Sequence, residues 1–200
     1  NDPEVETVVV MTSSQVGKTE DVLNTIGYFI HQDPSPMLVI EPTLEIAEAL
    51  SKDRIAPMFR DTDVLTTIIG DPKSKDGQHT LLHKKFPGGH LTLAGANSPA
   101  GLASRPIRIL LCDEVDRFPV SAGTEGDPLS LASKRTTTFW NRKKIFVSTP
   151  TVKNLSRIEA AFEASDKRYF HIPCHECGKK QKLEWEYVRW EDGKPETAIY

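Results

Sequence analysis

Residues 8–19 constrain the fold of this chain more than any other stretch, because they combine three features in a fixed order. A short apolar run leads into a turn of small polar residues, and Gly17, Lys18 and Thr19 then open a helical pattern, in the sequence VVVMTSSQVGKT. Strand, loop and helix N-terminus in this order are typical of a phosphate-binding loop. The N–H groups of such a loop and the positive end of the helix dipole converge on phosphate oxygens.

The residue types of this loop suit the parts of a nucleotide that it would hold. The candidate nucleotide-binding residues are Ser13, Ser14, Gln15, Val16, Gly17, Lys18 and Thr19. Lys18 would reach the β- and γ-phosphates, and the hydroxyl of Thr19 would bind Mg²⁺. Thr12 stands where the full pattern has its first glycine. A solvated helix start is therefore the alternative interpretation of this pattern.

The composition fits a soluble domain with a sizeable core. The chain has 200 residues, of which 38% are hydrophobic and 26% charged, and its net charge is −3. This charge argues against an extensive basic surface but allows a local strip that binds DNA. No apolar run approaches about 18 residues, so we expect no membrane span. We see no signal peptide, which favours an intracellular setting, and three cysteines do not make a disulfide scaffold.

The hydrophobic pattern predicts an α/β fold with a mostly parallel sheet flanked by helices. We expect strands at residues 5–11, 37–40, 107–112 and 144–147, and helices at 18–31, 44–50, 128–140 and 155–164. We expect a hairpin from 80–86 and 91–94, helix in parts of 55–69, a polar loop at 70–79, and one helical turn within 97–106. Basic residues at 84–85 and 142–144 can touch a DNA backbone, or can simply be solvated strand ends.

The character of the sequence changes near residue 166, where we place a domain boundary. Residues 1–166 form the predicted main domain, and 167–200 form a small appendage with strand-like segments at 169–172 and 181–190. Cys174 and Cys177 lie in a Cys-x-x-Cys turn between these segments, and this spacing can supply half of a tetrahedral Zn²⁺ site. Two free thiols are the alternative interpretation. The chain starts without Met, and we suspect that it is part of a longer protein.

Polar residues follow two of the predicted strands directly. Asp113 and Glu114 end the apolar run at 109–112, and Ser148 and Thr149 end the run at 144–147. Ligands of a parallel sheet bind beyond the carboxyl ends of its strands, which places these side chains beside the phosphate loop. Asp113 can then hold Mg²⁺ through its water shell, and Glu114 can orient and deprotonate the attacking water. An acidic loop and an ordinary strand-end turn are the simpler alternatives.

These segments together resemble the ATPase part of the large terminase subunit of lambda-type tailed bacteriophages. The resemblance rests on SSQVGKT after the first strand, then EPTLEIA, CDEVDRF, STP, and the Pro-Cys-x-x-Cys-Gly turn, in this order over nearly the whole chain. These terminases also resemble one another in a deviant phosphate loop, which agrees with Thr12 in place of glycine. The resemblance implies a P-loop NTPase fold of the ASCE (RecA-like) type, in which the strand before Ser148 lies between the phosphate-loop strand and the Asp113 strand.

The resemblance also implies a function. A motor of this family hydrolyses ATP, with Mg²⁺, to push double-stranded DNA into a procapsid through its portal, beside a small terminase subunit and usually as a homo-oligomeric ring. By position, Ser148 and Thr149 match the motif that couples hydrolysis to movement. Arg105 lies where some terminases place an arginine finger, which would act on the ATP of a neighbouring subunit. A phage or prophage protein of this kind would work in the cytoplasm of its bacterial host.

Two other functions fit parts of the sequence. A superfamily 2 helicase or other DNA translocase would use segments like those at 41–43 and 113–116. A non-catalytic module that binds DNA or the portal through a degenerate P-loop would explain Thr12. Terminases also carry a C-terminal nuclease with a carboxylate metal cluster. Nothing in these 200 residues can supply that cluster, so we do not expect this chain to cut DNA.

Overall fold

Four apolar runs of the sequence form adjacent parallel strands of a six-stranded sheet in the computed structural model, which describes residues 2, 4–69, 80–103 and 105–200. Its strands are β1 (Thr7–Met11), β2 (Pro36–Glu41), β3 (His83–Phe86), β4 (Gly89–Gly95), β5 (Ile109–Asp113) and β6 (Lys143–Ser148). Their order across the sheet is β1-β6-β5-β2-β4-β3. Every neighbouring pair is parallel except β3 and β4, which form an antiparallel hairpin. The predicted position of β6 between β1 and β5 is therefore confirmed.

Helices cover both faces of this sheet. They are α1 (Lys18–His31), α2 (Leu44–Leu50), α3 (Ala56–Asp61), α4 (Asp63–Ile69), α5 (Pro99–Ala103), α6 (Pro128–Ser133) and α7 (Arg157–Glu163), with a π-helical segment at Ser51–Ile55. The helices α1 to α4 pack on one face, against Val39 and Leu111 among others. The helices α5 to α7 pack on the other face, against Leu38 and Leu110. Successive residues of β2 and β5 thus serve opposite layers, which explains why these strands are apolar throughout.

Local sequence explains where two of these helices start. The side chain of Thr43 accepts a hydrogen bond from the N–H of Ile46 (3.4 Å), as expected for the residue before α2. The side chain of Ser156 accepts one from the N–H of Glu159 (3.0 Å) before α7. The predicted loop at 70–79 lies outside the described residues, as does residue 104 within the predicted turn at 97–106.

The helix predicted at 128–140 is wrong over its second half. Helix α6 ends at Ser133, and a single 3-10 turn follows at Lys134–Thr136. The hydroxyls of Thr136 and Thr137 donate to carbonyls three residues earlier (2.8 and 2.9 Å), which competes with helical hydrogen bonding. The carbonyl of Arg135 instead accepts the N–H of Ile107 (3.1 Å), a long-range contact that local propensity does not reveal.

The chain divides into two units, Asn1–Ser165 and Asp166–Tyr200. The second unit contains two short antiparallel pairs, β7 (Ile172–Pro173) with β8 (Lys180–Gln181), and β9 (Arg189–Glu191) with β10 (Lys194–Ile199). The strands predicted at 169–172 and 181–190 are thus shorter and interrupted. A 3-10 turn at Trp185–Tyr187 breaks the second one, closed by a hydrogen bond from the N–H of Val188 to the carbonyl of Trp185 (3.1 Å).

Most basic residues of the clusters at 84–85 and 142–144 have hydrogen-bond or ion-pair partners within the first unit of the chain. The ammonium of Lys84 donates to the carbonyl of Thr80 (3.0 Å), and that of Lys143 donates to the carbonyl of Val5. Arg142 and Lys144 both pair with the carboxylate of Glu6 (2.8 and 2.6 Å). Both clusters are therefore mostly part of the packing around the sheet.

Candidate nucleotide site

The parallel strands bring their carboxyl ends to one edge of the sheet. Met11 ends β1, Ser148 ends β6, Asp113 ends β5 and Glu41 ends β2. The phosphate loop follows Met11 at this edge and leads directly into α1. The side chains that the sequence predicts for nucleotide chemistry therefore come from three neighbouring strands and one helix N-terminus.

The phosphate loop bends by left-handed backbone at Gln15 (φ 59°) and Gly17 (φ 87°). Gly17 precedes α1 and carries no side chain that could cap the helix, so the N–H groups of the first turn remain suited to an anion. The backbone of Thr12, by contrast, is not left-handed. The glycine of the full pattern is therefore not needed for the path of the chain at that position.

Lys18 connects three parts of the site. Its ammonium group donates to the carbonyl of Ser13 (3.0 Å) and to the hydroxyl of Thr149 (2.8 Å). It also lies 3.8 Å from Oε1 of Glu114, at ion-pair distance. Only 7% of the Lys18 side chain is exposed, so these contacts replace solvent around its charge. One cation thus links the phosphate loop, the end of β6 and the residue after β5.

Thr19 and Asp113 form the second link. The Thr19 hydroxyl donates to Oδ2 of Asp113 (2.9 Å), and the other oxygen of Asp113 accepts the N–H of Glu114 (2.9 Å). Burial raises the pKa of the Asp113 carboxyl above its ordinary value, although the hydrogen bonds from Thr19 and the Glu114 N–H act in the opposite direction. A hydroxyl and a carboxylate are the oxygen donors that Mg²⁺ prefers, so these two residues fit that ion.

Glu114 occupies a strained position beside Lys18. Its backbone is left-handed (φ 52°), which is uncommon for a residue with a side chain. One oxygen of its carboxylate faces Lys18, and the other lies 3.6 Å from the guanidinium of Arg117. The local backbone thus turns Glu114 out of the strand direction and towards the phosphate loop.

A network behind these residues joins the segments that follow β5 and β6. The hydroxyl of Ser148 accepts the N–H of Asp116 (3.3 Å). The carboxylate of Asp116 accepts hydrogen bonds from the N–H and hydroxyl of Thr151 (2.9 and 3.0 Å) and from the N–H of Ile158 in α7 (2.9 Å). The sequence analysis did not single out Asp116, because no local pattern indicates partners more than thirty residues away.

Glu41 is a further residue that the sequence analysis missed as part of the site. It lies at the end of β2, is only 3% exposed, and lines a cavity of about 290 Å³ together with Thr19, Asp113 and Glu114. Burial, together with the nearby carboxylates of Asp113 and Glu114, raises the pKa of Glu41 to about 8. An acidic residue directly after an apolar run, as at Asp113, is the signal that could have identified it.

Arg105 does not lie near these residues. It lines a separate cavity of about 510 Å³ with His90 and Lys85, and its charge contributes to lowering the pKa of His90, after burial. His90 pairs with Pro36 at the start of β2, so this cavity lies at the amino end of the parallel strands. The predicted arginine finger is thus at the end of the sheet opposite the phosphate loop of its own chain.

Cys174 and Cys177 lie in a tight turn of the second unit. The carbonyl of Cys174 accepts the N–H of Gly178 (2.9 Å), whose φ of 70° favours glycine. Hydrogen bonds from the N–H groups of Cys177 and Glu176, and from the side chain of Cys177, lower the pKa of the Cys174 thiol. No group of three or more metal-binding side chains occurs in the described part of the chain. The two cysteines are therefore at most half of a zinc site here.

None of the helices in the described ranges combines the length and the apolar character that crossing a bilayer requires.

Comparisons with known proteins point to one family. A family model described as the ATPase domain of the phage terminase large subunit gpA matches residues 1–200. The large terminase subunit of enterobacteria phage P21 is 29% identical over 204 residues, which cover 98% of this chain and 32% of that protein. The large subunit of Escherichia phage lambda is 28% identical with the same coverage. This chain thus spans about a third of the length of these curated relatives.

The fold also matches a solved structure. The large terminase ATPase domain of Thermus phage P74-26 superimposes with a TM-score of 0.56 at 17% identity, over 90% of this chain and 73% of that one. At this identity the likeness concerns the fold alone, and it agrees with a P-loop NTPase architecture. Because the family model covers every residue of the sequence, the chain belongs to the family of phage terminase large subunit gpA ATPase domains.

Proposed function

We propose that this chain is the ATP-hydrolysing motor domain of a phage terminase large subunit, which moves double-stranded DNA into a procapsid. The observation that carries the proposal is the convergence of Lys18, Thr19, Asp113, Glu114 and Thr149 at one edge of the sheet. Phosphoryl transfer needs mainly positioning and charge neutralisation, and these five side chains supply both. Membership in the gpA family supports this assignment.

Nucleotide binding would replace contacts that already exist in the site. Mg²⁺, held by Thr19 and Asp113, would neutralise charge on the β- and γ-phosphates. Lys18 donates to a carbonyl and a hydroxyl, which are weaker partners than a phosphate oxygen. We therefore expect Lys18 to turn from Thr149 towards the nucleotide when ATP binds.

Glu114 is the proposed catalytic carboxylate. It would orient the attacking water and accept its proton, since it lies beside Lys18 at the end of the phosphate loop. Once Lys18 contacts phosphate, one oxygen of Glu114 is released for that water. The second oxygen keeps its ion pair with Arg117, which holds the carboxylate in position.

Ser148 and Thr149 are the proposed coupling residues. Thr149 contacts Lys18, while Ser148 accepts the N–H of Asp116, which in turn holds the start of α7. A change in the position of Lys18 would therefore reach α7 through two hydrogen-bonded segments. This path is how we expect hydrolysis to be converted into movement.

The wider context follows from the family. We infer that the full-length protein acts on double-stranded DNA, with a small terminase subunit and the portal of a procapsid, as a homo-oligomeric ring in the cytoplasm of its bacterial host. We further propose that Cys174 and Cys177 bind Zn²⁺ with ligands supplied by other residues of that protein. The lowered pKa of the Cys174 thiol supports this, because the thiolate is the form that binds metal.

Calorimetric titration of this chain with Mg²⁺-ADP and a non-hydrolysable Mg²⁺-ATP analogue tests the proposal. Lys18→Ala removes hydrogen bonds to a charged ligand, each worth about 1.5–3 kcal/mol, so we expect roughly 10- to 100-fold weaker binding. Lys179→Ala, at an exposed position in the second unit, is the charge-matched control and should bind like the wild type.

Glu114→Gln separates binding from chemistry. In the full-length subunit it should bind Mg²⁺-ATP normally and lose about 10²- to 10⁴-fold in hydrolysis, the range for removal of a general base. A folded wild-type chain and a full-length subunit that both fail to bind nucleotide would overturn the ATPase assignment.

A further inference from the structure

Glu41 lies beside the metal-binding carboxylate in the sheet itself. Strands β2 and β5 are parallel, with Ile40 opposite Cys112, so Glu41 and Asp113 are neighbours one residue further along. Residues opposite each other on adjacent strands point to the same face of a sheet. That face is covered by α1, whose Thr19 donates to Asp113. The register therefore directs Glu41 towards the same place as the proposed Mg²⁺ ligands.

Glu41 is buried, and its carboxyl has no hydrogen-bond or ion-pair partner among the residues that the structure describes. The residue is 97% inaccessible, and its side chain borders the cavity that Thr19, Asp113 and Glu114 also line. The carboxylates of Asp113 and Glu114 lie on the same cavity and repel a negative charge on Glu41. A buried carboxyl costs free energy unless a donor or a cation compensates it. Packing alone does not account for an acid at this position.

The cations near this cavity are engaged elsewhere. The guanidinium of Arg54, which borders the cavity, pairs with Glu20. Lys18 donates to the Ser13 carbonyl and the Thr149 hydroxyl, and its nearest carboxylate is that of Glu114, at 3.8 Å. Four carboxyl groups, those of Glu41, Asp53, Asp113 and Glu114, thus line one cavity, and no cation of the described residues is paired with Glu41. A divalent cation would supply the missing positive charge.

We propose that Glu41 positions the Mg²⁺ ion without binding it directly, by accepting hydrogen bonds from the water that the ion carries. This agrees with the absence, among the described residues, of a group of three side chains that could hold a metal ion. Thr19 and Asp113 would hold the ion from one helix and one strand, and Glu41 would accept hydrogen bonds from its water on the neighbouring strand. This role rests on the proposed nucleotide function, because the ion enters the site with the nucleotide. It makes Glu41 a positioning residue rather than the group that attacks or transfers.

The test measures how strongly Mg²⁺ enhances nucleotide binding. ADP is titrated into the chain by calorimetry, once with saturating Mg²⁺ and once with EDTA, for the wild type and Glu41→Gln. We expect Glu41→Gln to bind ADP about 10- to 100-fold more weakly with Mg²⁺, the usual effect of losing a residue that orients metal ligands. With EDTA its affinity should be unchanged or tighter. Glu48→Gln, which removes a charge from α2 outside the cavity, should match the wild type in both conditions.

The outcomes separate this role from a structural one. Equal weakening with and without Mg²⁺, or no change at all, would overturn the proposal. If Glu41→Gln fails to fold, Glu41→Asp replaces it, because the shorter side chain keeps the carboxyl but moves it away from the ion. This variant must then bind ADP more weakly with Mg²⁺ and not with EDTA. If the wild type binds ADP in neither condition, the proposed function fails together with this inference. If the wild type binds ADP and Glu41→Gln binds it with the same affinities in both conditions, only this inference is refuted.

Discussion

Left-handed backbone occurs at two residues of the phosphate loop, Gln15 and Gly17, and at Glu114 beside it. Gly17 tolerates its φ of 87° because it has no Cβ, whereas Gln15 and Glu114 adopt similar angles with side chains attached. The angles at Gln15 and Gly17 turn the chain from β1 into α1. Strain at these positions is therefore part of how the site is built.

Gly17→Ala tests this conclusion at the level of one methyl group. A Cβ at Gly17 would meet no atom within 4 Å, so the substitution adds backbone strain without a clash. We expect a loss of about 1–2 kcal/mol in the free energy of unfolding, measured with denaturant, since this is the usual cost of left-handed backbone for a residue with a side chain. Nucleotide affinity should fall as well, because relaxation of the strain moves the N–H groups of the loop.

Gly126→Ala is the matched control for this substitution. Gly126 also has positive φ (103°) and open space around its Cβ position, but it lies before α6 and away from the phosphate loop. It should lose a similar amount of stability and keep its nucleotide affinity. An equal effect of both substitutions on nucleotide binding would contradict the role assigned to Gly17.

At the scale of elements, a hydrogen bond to Asp116 connects α7 to the segment that follows β5. Although burial alone would raise the pKa of its carboxyl, hydrogen bonds from the Ile158 N–H, Ser156 and Thr151 lower it below the ordinary value of 3.8. The folded state therefore favours the ionised form. The resulting stabilisation is fully present above about pH 4 and is lost as the pH falls through the pKa of the folded state.

We predict that Asp116→Asn lowers the free energy of unfolding by about 1–3 kcal/mol at neutral pH, the range for the loss of hydrogen bonds to a charged acceptor, here a partly buried one. The difference from the wild type should be smaller at a pH below 3.8, because the wild-type carboxyl takes up a proton as the pH falls through the lowered pKa of the folded state. Denaturant titrations at both pH values provide the measurement, with Asp192→Asn at an exposed turn as the control. A difference that stays constant or grows on acidification would refute this assignment.

The elements differ in how far the sequence determines them. Strands β1, β2, β5 and β6 were predictable because each is a short apolar run. Asp113 and Ser148 were predictable as site residues because they directly follow two of these runs. The role of Glu41 depends on the register between β2 and β5, which local sequence does not encode. The end of α6 depends on a contact between Arg135 and Ile107, which are distant in sequence.

At the scale of the whole molecule, the sheet separates two candidate sites. The phosphate loop lies at the carboxyl end of the parallel strands, and Arg105 lies at their amino end, near His90. Arg105 cannot reach the phosphate loop of its own chain across the length of the sheet. If Arg105 is an arginine finger, the complete ATPase site must therefore form between two copies, as in a ring built from head-to-tail contacts.

Mixing two inactive variants of the full-length subunit tests this arrangement. Lys18→Ala loses nucleotide binding but keeps Arg105, whereas Arg105→Ala keeps the nucleotide site and should lose about 10³- to 10⁵-fold in hydrolysis, as expected for an arginine finger. In a mixed ring, a Lys18→Ala subunit can supply Arg105 to the intact nucleotide site of an Arg105→Ala neighbour. With random mixing in equal amounts, roughly a quarter of the sites then regain both parts. ATPase activity of the mixture that does not exceed the sum of the separate variants would rule out Arg105 as a finger acting between subunits.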